Sequence, residues 1–164
     1  MWVNGPSMTP YLNEGYGETN VTKDMVLVKK ANAAEGLQRG MVVVFPSLRN
    51  PSIPTIKRVI ALPGDRVVPR NSASNDGSAG PIVPWNHVWV EGDAADPKKT
   101  FDSNAHGPVS MSLLSGRVSY VLWPRMRKLR WEDWAKDGGE GAKKRARVQE
   151  DAVRLEKPFD GREF

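Results

Sequence analysis

The sequence predicts a mainly β domain followed by a charged, partly helical C-terminal tail. Its apolar segments are short and rich in β-branched residues, as in Val42-Val43-Val44 and Val88-Trp89-Val90, which suits a pleated, half-buried surface. The 15 glycines and 13 prolines punctuate these segments at turn spacing. After Pro124 the strand pattern gives way to helix-compatible, charge-rich sequence. The expected organisation is therefore one domain over residues 1–124 and a tail over 125–164.

Residues 2–5 read as a short strand entering a turn at 6–10, and the Gly-, Glu- and Asn-rich stretch 13–22 as a loop. Strands are expected over 25–30 and 41–45, with a turn or short helix at 31–37 and a turn at Arg39-Gly40. Pro51 and Pro54 mark a hairpin loop that returns the chain along 55–62. Pro63-Gly64-Asp65 turns into a strand over 66–69, and residues 71–80 have the composition of a mobile surface loop. A strand over 87–91 leads into an exposed polar loop over 92–100. The last strand covers 116–123, with Val118, Tyr120 and Leu122 alternating inward. Trp89 and Trp123 are expected in the core. In the tail, Leu129, Trp131 and Trp134 are the candidate contacts, Gly138-Gly139 interrupts the pattern, and 140–156 reads as an exposed helix.

A chain of 164 residues is long enough for one sizeable core. It has no cysteine, which excludes a disulfide, a thiolate nucleophile and a cysteine metal site. His87 and His106, the two histidines, sit in no metal-ligand spacing, so neither metal nor cofactor is expected. The formal net charge of +5 invites a nucleic-acid reading. About half the charges of each sign fall in the tail, however, and acid and base are mixed throughout. A solvated tail outweighs a nucleic-acid arm on that distribution. A basic β-domain that binds nucleic acid would also need clustered Lys and Arg interleaved with exposed aromatics. No stretch approaches the ~18 consecutive apolar residues of a membrane span, and no cleavable targeting segment is evident.

Two residues stand in unusual surroundings. Ser7 lies between turn-forming prolines in Gly5-Pro6-Ser7-Met8-Thr9-Pro10, and Lys57 opens the apolar run Lys57-Arg58-Val59-Ile60-Ala61-Leu62. An ordinary lysine is neutral in fewer than about one molecule in a thousand at pH 7. Burial disfavours its charge, lowers its pKa and lets it take a proton from a nearby hydroxyl. Taken singly, the two residues read far more readily as a turn serine and an edge-strand lysine. As a pair they suit a Ser/Lys hydrolase.

Four segments in order resemble the type I signal peptidase family. Ser7-Met8-Thr9-Pro10 is similar to its nucleophile box. Arg39-Gly40-Met41-Val42-Val43-Val44-Phe45 is similar to its Arg-Gly-Asp strand, with Met41 in the place of Asp. Lys57 to Asp65 resembles its general-base box, and Glu91-Gly92-Asp93 with Asp102-Ser103-Asn104 its last box. Asn104 replaces the usual arginine. That variant, with Val121-Leu122-Trp123-Pro124, looks like the subunit 2 branch of the mitochondrial inner membrane proteases. The resemblance spans roughly residues 3–125.

The resemblance implies a signal-peptidase/LexA-like fold of several coiled antiparallel sheets. It casts Ser7 as nucleophile and Lys57 as general base, with Thr100 as a hydroxyl that hydrogen-bonds the lysine. Asp102 and Ser103 become supporting residues, Asp102 having lost its arginine partner to Asn104. Gly5 stands where bacterial relatives carry a serine that adds an oxyanion donor. Val3, Gly5, Met8, Leu12 and Ile56 match positions that contact substrate. The implied activity is removal of sorting signals from precursor proteins at the mitochondrial inner membrane, on the intermembrane-space side. The implied partner is a homologous subunit 1, in a heterodimer. Six residues before Ser7 leave no room for an anchor, so membrane association would come from upstream residues or that partner, with Trp2 near the bilayer interface. A self-cleaving repressor-type peptidase shares the dyad, but no helix-turn-helix pattern precedes Ser7.

Overall fold

Antiparallel pairing organises the chain. In the computed structural model, which describes residues 1–17, 22–70, 72 and 80–156, the strands are β1 (Met25–Lys29), β2 (Val42–Pro46), β3 (Pro54–Ala61), β4 (Arg66–Val67), β5 (His87–Glu91), β6 (Val109–Ser110), β7 (Gly116–Trp123), β8 (Arg127–Lys128) and β9 (Val148–Gln149). Three short helices join them: α1 (Ser103–His106), α2 (Trp131–Lys136) and α3 (Glu140–Arg145). The main sheet has the order β1-β7-β2-β3-β5-β6, with β8 added beside β7, while β4 and β9 pair separately. The expected mainly β architecture is what the chain adopts. No helix among the described residues is long and apolar enough to cross a membrane.

The β2–β3 hairpin is the centre of the design. Its register places Val43 opposite Lys57 and Val44 opposite Ile56. Alternate residues of β2 enter different cores, because successive strand side chains point to opposite faces. Val42 and Val44 join Val3, Met8, Leu12, Val26, Ile56, Val118 and Val121, whereas Val43 and Phe45 join Val59, Val88 and Val90. A strand covered on both faces reads as a continuous apolar run. Each of these buried side chains contributes about 1.5–3 kcal/mol of transfer free energy.

Several local expectations are corrected. Residues 2–5 form only an isolated bridge, Trp2 to Met25. Strict alternation fails on β7, where the register against β1 slips: Val118 is buried as expected, but Val121 is the next buried residue, leaving Tyr120 and Leu122 half-covered. Trp89 is buried as expected, but Trp123 is 52% exposed at the end of that strand. Residues 71 and 73–79, read as a mobile loop, lie outside the described residues.

The expected exposed helix over 140–156 forms only over its start, as α3, and part of it is buried. Gly138-Gly139 breaks the chain before α3, and the Asp137 carboxylate caps the new helix by accepting from Gly139 N at 3.0 Å and Gly141 N at 2.9 Å. The chain leaves helical geometry past Ala146, and β9 pairs with β4, Arg66 facing Gln149. Trp134 is buried against Gly40, where a Cβ would stand 2.8 Å from Trp131 O. Side chains from this segment reach the loop that follows β5, which brings it close to the candidate site.

Candidate active site

Lys57 and Ser7 meet although 50 residues separate them: Lys57 Nζ donates to Ser7 Oγ at 3.0 Å. The lysine comes from the middle of β3, and the serine from the turn over 6–10, where Thr9 N bonds Pro6 O at 3.0 Å. Met8 and Leu12 fix that turn by dropping into the first core. Lys57 is 2% exposed. Its ammonium also donates to Ile56 O at 3.0 Å and to Thr55 Oγ1 at 3.4 Å. Burial drives its pKa down to about 8, opposed by the charges of Asp102 and Asp93. About a tenth of the lysine is then neutral at pH 7. Burial also lowers His106, with the Lys57 charge acting in the same direction against the Gly107 carbonyl and Asp102.

Thr100 does not bond to Lys57. Its hydroxyl donates to Asp102 Oδ2 at 3.1 Å, and the hydroxyl beside the ammonium belongs to Thr55. The two-residue spacing of Thr55 and Lys57 on one strand was the sequence signal for this contact, because it puts both on the same face.

Asp102 is a hub rather than a residue that has lost its partner. It accepts from Gly92 N at 3.0 Å, from Thr100 Oγ1, and from Asn104 N and Nδ2 at 3.1 and 2.9 Å. The positive charge missing at position 104 is supplied by Arg70, whose Nη2 stands 3.5 Å from Asp102 Oδ2. Arg70 also gives its backbone N–H to Asn104 Oδ1 at 2.8 Å. Ser103 is structural here: buried, with Oγ accepting from Val90 N at 2.9 Å.

Of the expected substrate-contacting residues, Val3, Met8, Leu12 and Ile56 are all buried in the first core, so they form the floor beneath the site rather than an open surface. Gly5 differs: its φ is +85°, and the space where a side chain would start is clear of other atoms to 4 Å. Among the described residues, the Ser7 N–H has no protein acceptor. It remains available to an incoming group.

The loop after β5 explains its own sequence. Glu91 is buried between Arg70 and Arg147, at 3.1 and 2.7 Å. Burial would raise its pKa, but hydrogen bonds and charge from Arg147, with Trp89 and Arg70, more than offset that and hold it at about 2. Asp93 receives both the Nε and Nη2 of buried Arg58, at 2.8 and 2.6 Å. Arg58 therefore points away from Lys57 and is structural, as its strand parity requires. Between the two acids, a Cβ on Gly92 would stand 2.4 Å from both Ser7 O and Thr100 Oγ1. Only glycine lets this loop approach the serine so closely. Ala94 N then bonds Ser7 O at 3.1 Å.

A separate cavity of about 600 Å³ lies between the 10–14 turn and the α2–α3 segment, lined by Tyr11, Glu14, Asp133, Trp134 and Asp137 among others, and Ser7 is not part of it. Among the described residues, no group of three or more His, Asp or Glu side chains is gathered to hold a metal.

Comparison with known proteins places the chain in a family. Residues 2–73 match the family described as signal peptidase, peptidase S26. The chain is 42% identical over 132 residues to the mitochondrial inner membrane protease subunit 2 of Mus musculus, covering 79% of this chain and 70% of that one. It is 33% identical over 122 residues to subunit 1 of Homo sapiens, covering 74% and 67%. A signal peptidase I from Enterococcus faecalis of known structure matches at 23% identity and a TM-score of 0.39, over 51% of this chain and 97% of that one. On the sequence relationship to the protease subunits, the chain belongs to the signal peptidase family, peptidase S26, and is a peptidase of the signal peptidase I type.

Proposed function

We propose that Ser7 and Lys57 form a Ser/Lys dyad and that the protein is a serine endopeptidase. The observation that carries this reading is the 3.0 Å contact between Ser7 Oγ and a buried lysine whose pKa has fallen to about 8. Neutral Lys57 takes the Ser7 proton as Oγ attacks the scissile carbonyl, giving a tetrahedral oxyanion and then an acyl-enzyme. Lys57 returns the proton to the leaving amine and later activates the water that releases the acyl group. The Ser7 N–H is the candidate oxyanion donor, effective because it needs no reorganisation. Thr55 orients the lysine. Asp102, braced by Arg70, holds Thr100 and the loop at Gly92, and Gly5 leaves space for extended substrate to pass.

The substrates we propose are precursor proteins whose sorting signals are removed at the mitochondrial inner membrane, on the intermembrane-space side. The names of the relatives support this location, and their division into subunits 1 and 2 supports a homologous partner. The decisive experiment is cleavage of a precursor peptide by purified protein. Ser7→Ala and Lys57→Met are expected to abolish turnover with the fold intact, and Lys57→Arg to fail because guanidinium stays protonated. Cleavage by Ser7→Ala would remove the serine mechanism. Fractionation with the partner present and depleted tests the membrane assembly, which active, freely soluble monomer in both cases would contradict.

A further inference from the structure

We propose that residues 140–149 act as a latch that holds the Ser7 turn from behind, with Lys144 as its positioning residue; this rests on the Ser7–Lys57 reading above. Lys144 on α3 is 4% exposed, an unusual place for an ammonium. Its Nζ donates to Gly92 O at 2.6 Å and stands 3.6 Å from Asp93 Oδ1. Three residues on, Arg147 bonds both Glu91 oxygens, at 2.9 and 2.7 Å, and gives Nη1 to Val68 O at 2.9 Å. Each of the three consecutive residues 91, 92 and 93 thus faces a cation from this one segment. The β4–β9 pairing anchors the segment beyond Arg147.

The other side of the same loop is the site itself. Gly92 N holds Asp102, Ala94 N holds Ser7 O, and a Cβ on Gly92 would run into Ser7 O and Thr100 Oγ1. One residue of thickness therefore separates Lys144 from the serine turn. A buried cation is a costly way to brace a loop, since a well-packed apolar side chain is often as stabilising. What the cation adds is a fixed position for the Gly92 carbonyl and partial neutralisation of Asp93. The second effect reaches the base. Asp93 and Asp102 both favour the charged form of Lys57, Arg58 and Lys144 both offset Asp93, and His106 lies within electrostatic range. Around Lys144 the facing charges are Asp93, Glu91, Arg70 and Arg58. Without Lys144, Asp93 acts more strongly on Lys57, which then holds its proton to higher pH.

The test compares full-length wild type, Lys144→Arg, Lys144→Gln, Lys144→Met and Ser7→Ala in peptide cleavage across pH, with circular dichroism to measure the folded fraction. Displacing a reacting group by about 1 Å costs up to roughly 100-fold, so Lys144→Met is expected to lower kcat by about 10–100-fold with KM within about 2-fold. Lys144→Gln keeps a donor but no charge, and is expected to remain folded while the acid limb of its pH–rate profile moves upward. Lys144→Arg is expected to restore both kcat and the limb. An unchanged kcat per folded molecule and an unchanged limb in Lys144→Gln, with Ser7→Ala inactive, would overturn the latch alone. Activity in Ser7→Ala would overturn the dyad and the latch with it.

Discussion

Thr55 Oγ1 stands 3.4 Å from Lys57 Nζ on the same face of β3, while Thr100, on the loop ahead of α1, bonds Asp102 instead. The two threonines therefore have separable jobs. Losing one hydrogen bond of about 1 kcal/mol corresponds to roughly five-fold in rate. Thr55→Val is expected to lower kcat by about that factor and to move the pH–rate profile, because its contact is to the base itself. Thr100→Val acts through Asp102 and is expected to reduce stability as well. Steady-state kinetics across pH, beside thermal melts of both variants, separate the two.

The buried lysine sets both the activity profile and a stability cost. Catalysis needs neutral Lys57, so kcat/KM is expected to rise with pH through about 8. The stability sign follows from linkage. The folded pKa lies below the unfolded value, so the unfolded chain binds more protons between about 8 and about 10.5. Stability should rise with pH across that window, and the full cost, about 3 kcal/mol as a ceiling, is present below it. Lys57→Met is therefore expected to be inactive yet to melt several degrees higher at pH 7. The advantage should vanish near pH 10.5. An equal or lower melting temperature at pH 7 would show that the lysine is not carrying that cost.

How far the sequence could be read depended on the range of the interactions. The strands over 42–46, 54–61, 87–91 and 116–123 were legible because β-branched runs between turn residues report local covering. The Ser7–Lys57 juxtaposition was legible only through the family's motifs, since nothing local links positions 50 apart. Three features were not legible. Arg70 replaces the charge missing at Asn104 from a different strand end, and spacing carries no trace of such a rescue. Residues 140–149 carry many charges, which reads as a solvated surface, yet Lys144 and Arg147 turn inward to acids that also look like surface residues in the sequence. On β7 the register against β1 slips twice, which turns Val121 rather than Tyr120 inward after Val118 and leaves Trp123 exposed at the strand end.

Gly92 gives a steric prediction that is independent of charge. A Cβ there would sit 2.4 Å from Ser7 O, a backbone atom that cannot swing aside, and 2.4 Å from Thr100 Oγ1. Gly92→Ala must therefore push the 92–94 loop off the serine turn or rotate Thr100 away from Asp102. Either movement is expected to reduce kcat by at least about 10-fold, with destabilisation of roughly 1–3 kcal/mol from overpacking. Wild-type kinetics in Gly92→Ala would show that the close approach of this loop is not needed for turnover.

Glu91 makes the fold acid-sensitive, and Arg147 sets how large that sensitivity is. The carboxylate is held at about 2, below its unfolded value of about 4.5. The stability it confers is complete above about 4.5 and is lost as pH falls toward about 2. Arg147→Met removes the stronger of its two cationic partners and leaves Arg70 at 3.1 Å. Breaking a buried pair from one side costs about 3–5 kcal/mol, and the remaining arginine places this case at roughly 3. With less compensation against burial, the folded pKa of Glu91 rises. The stability lost in Arg147→Met is therefore expected to be largest above about 4.5 and to shrink as pH falls toward about 2, because the variant has less Glu91-linked stability left to lose. Urea melts at pH 7 and at a series of pH values between 3 and 6 measure the loss and its decline. A variant that loses stability equally at every pH would separate Arg147 from the ionisation of Glu91.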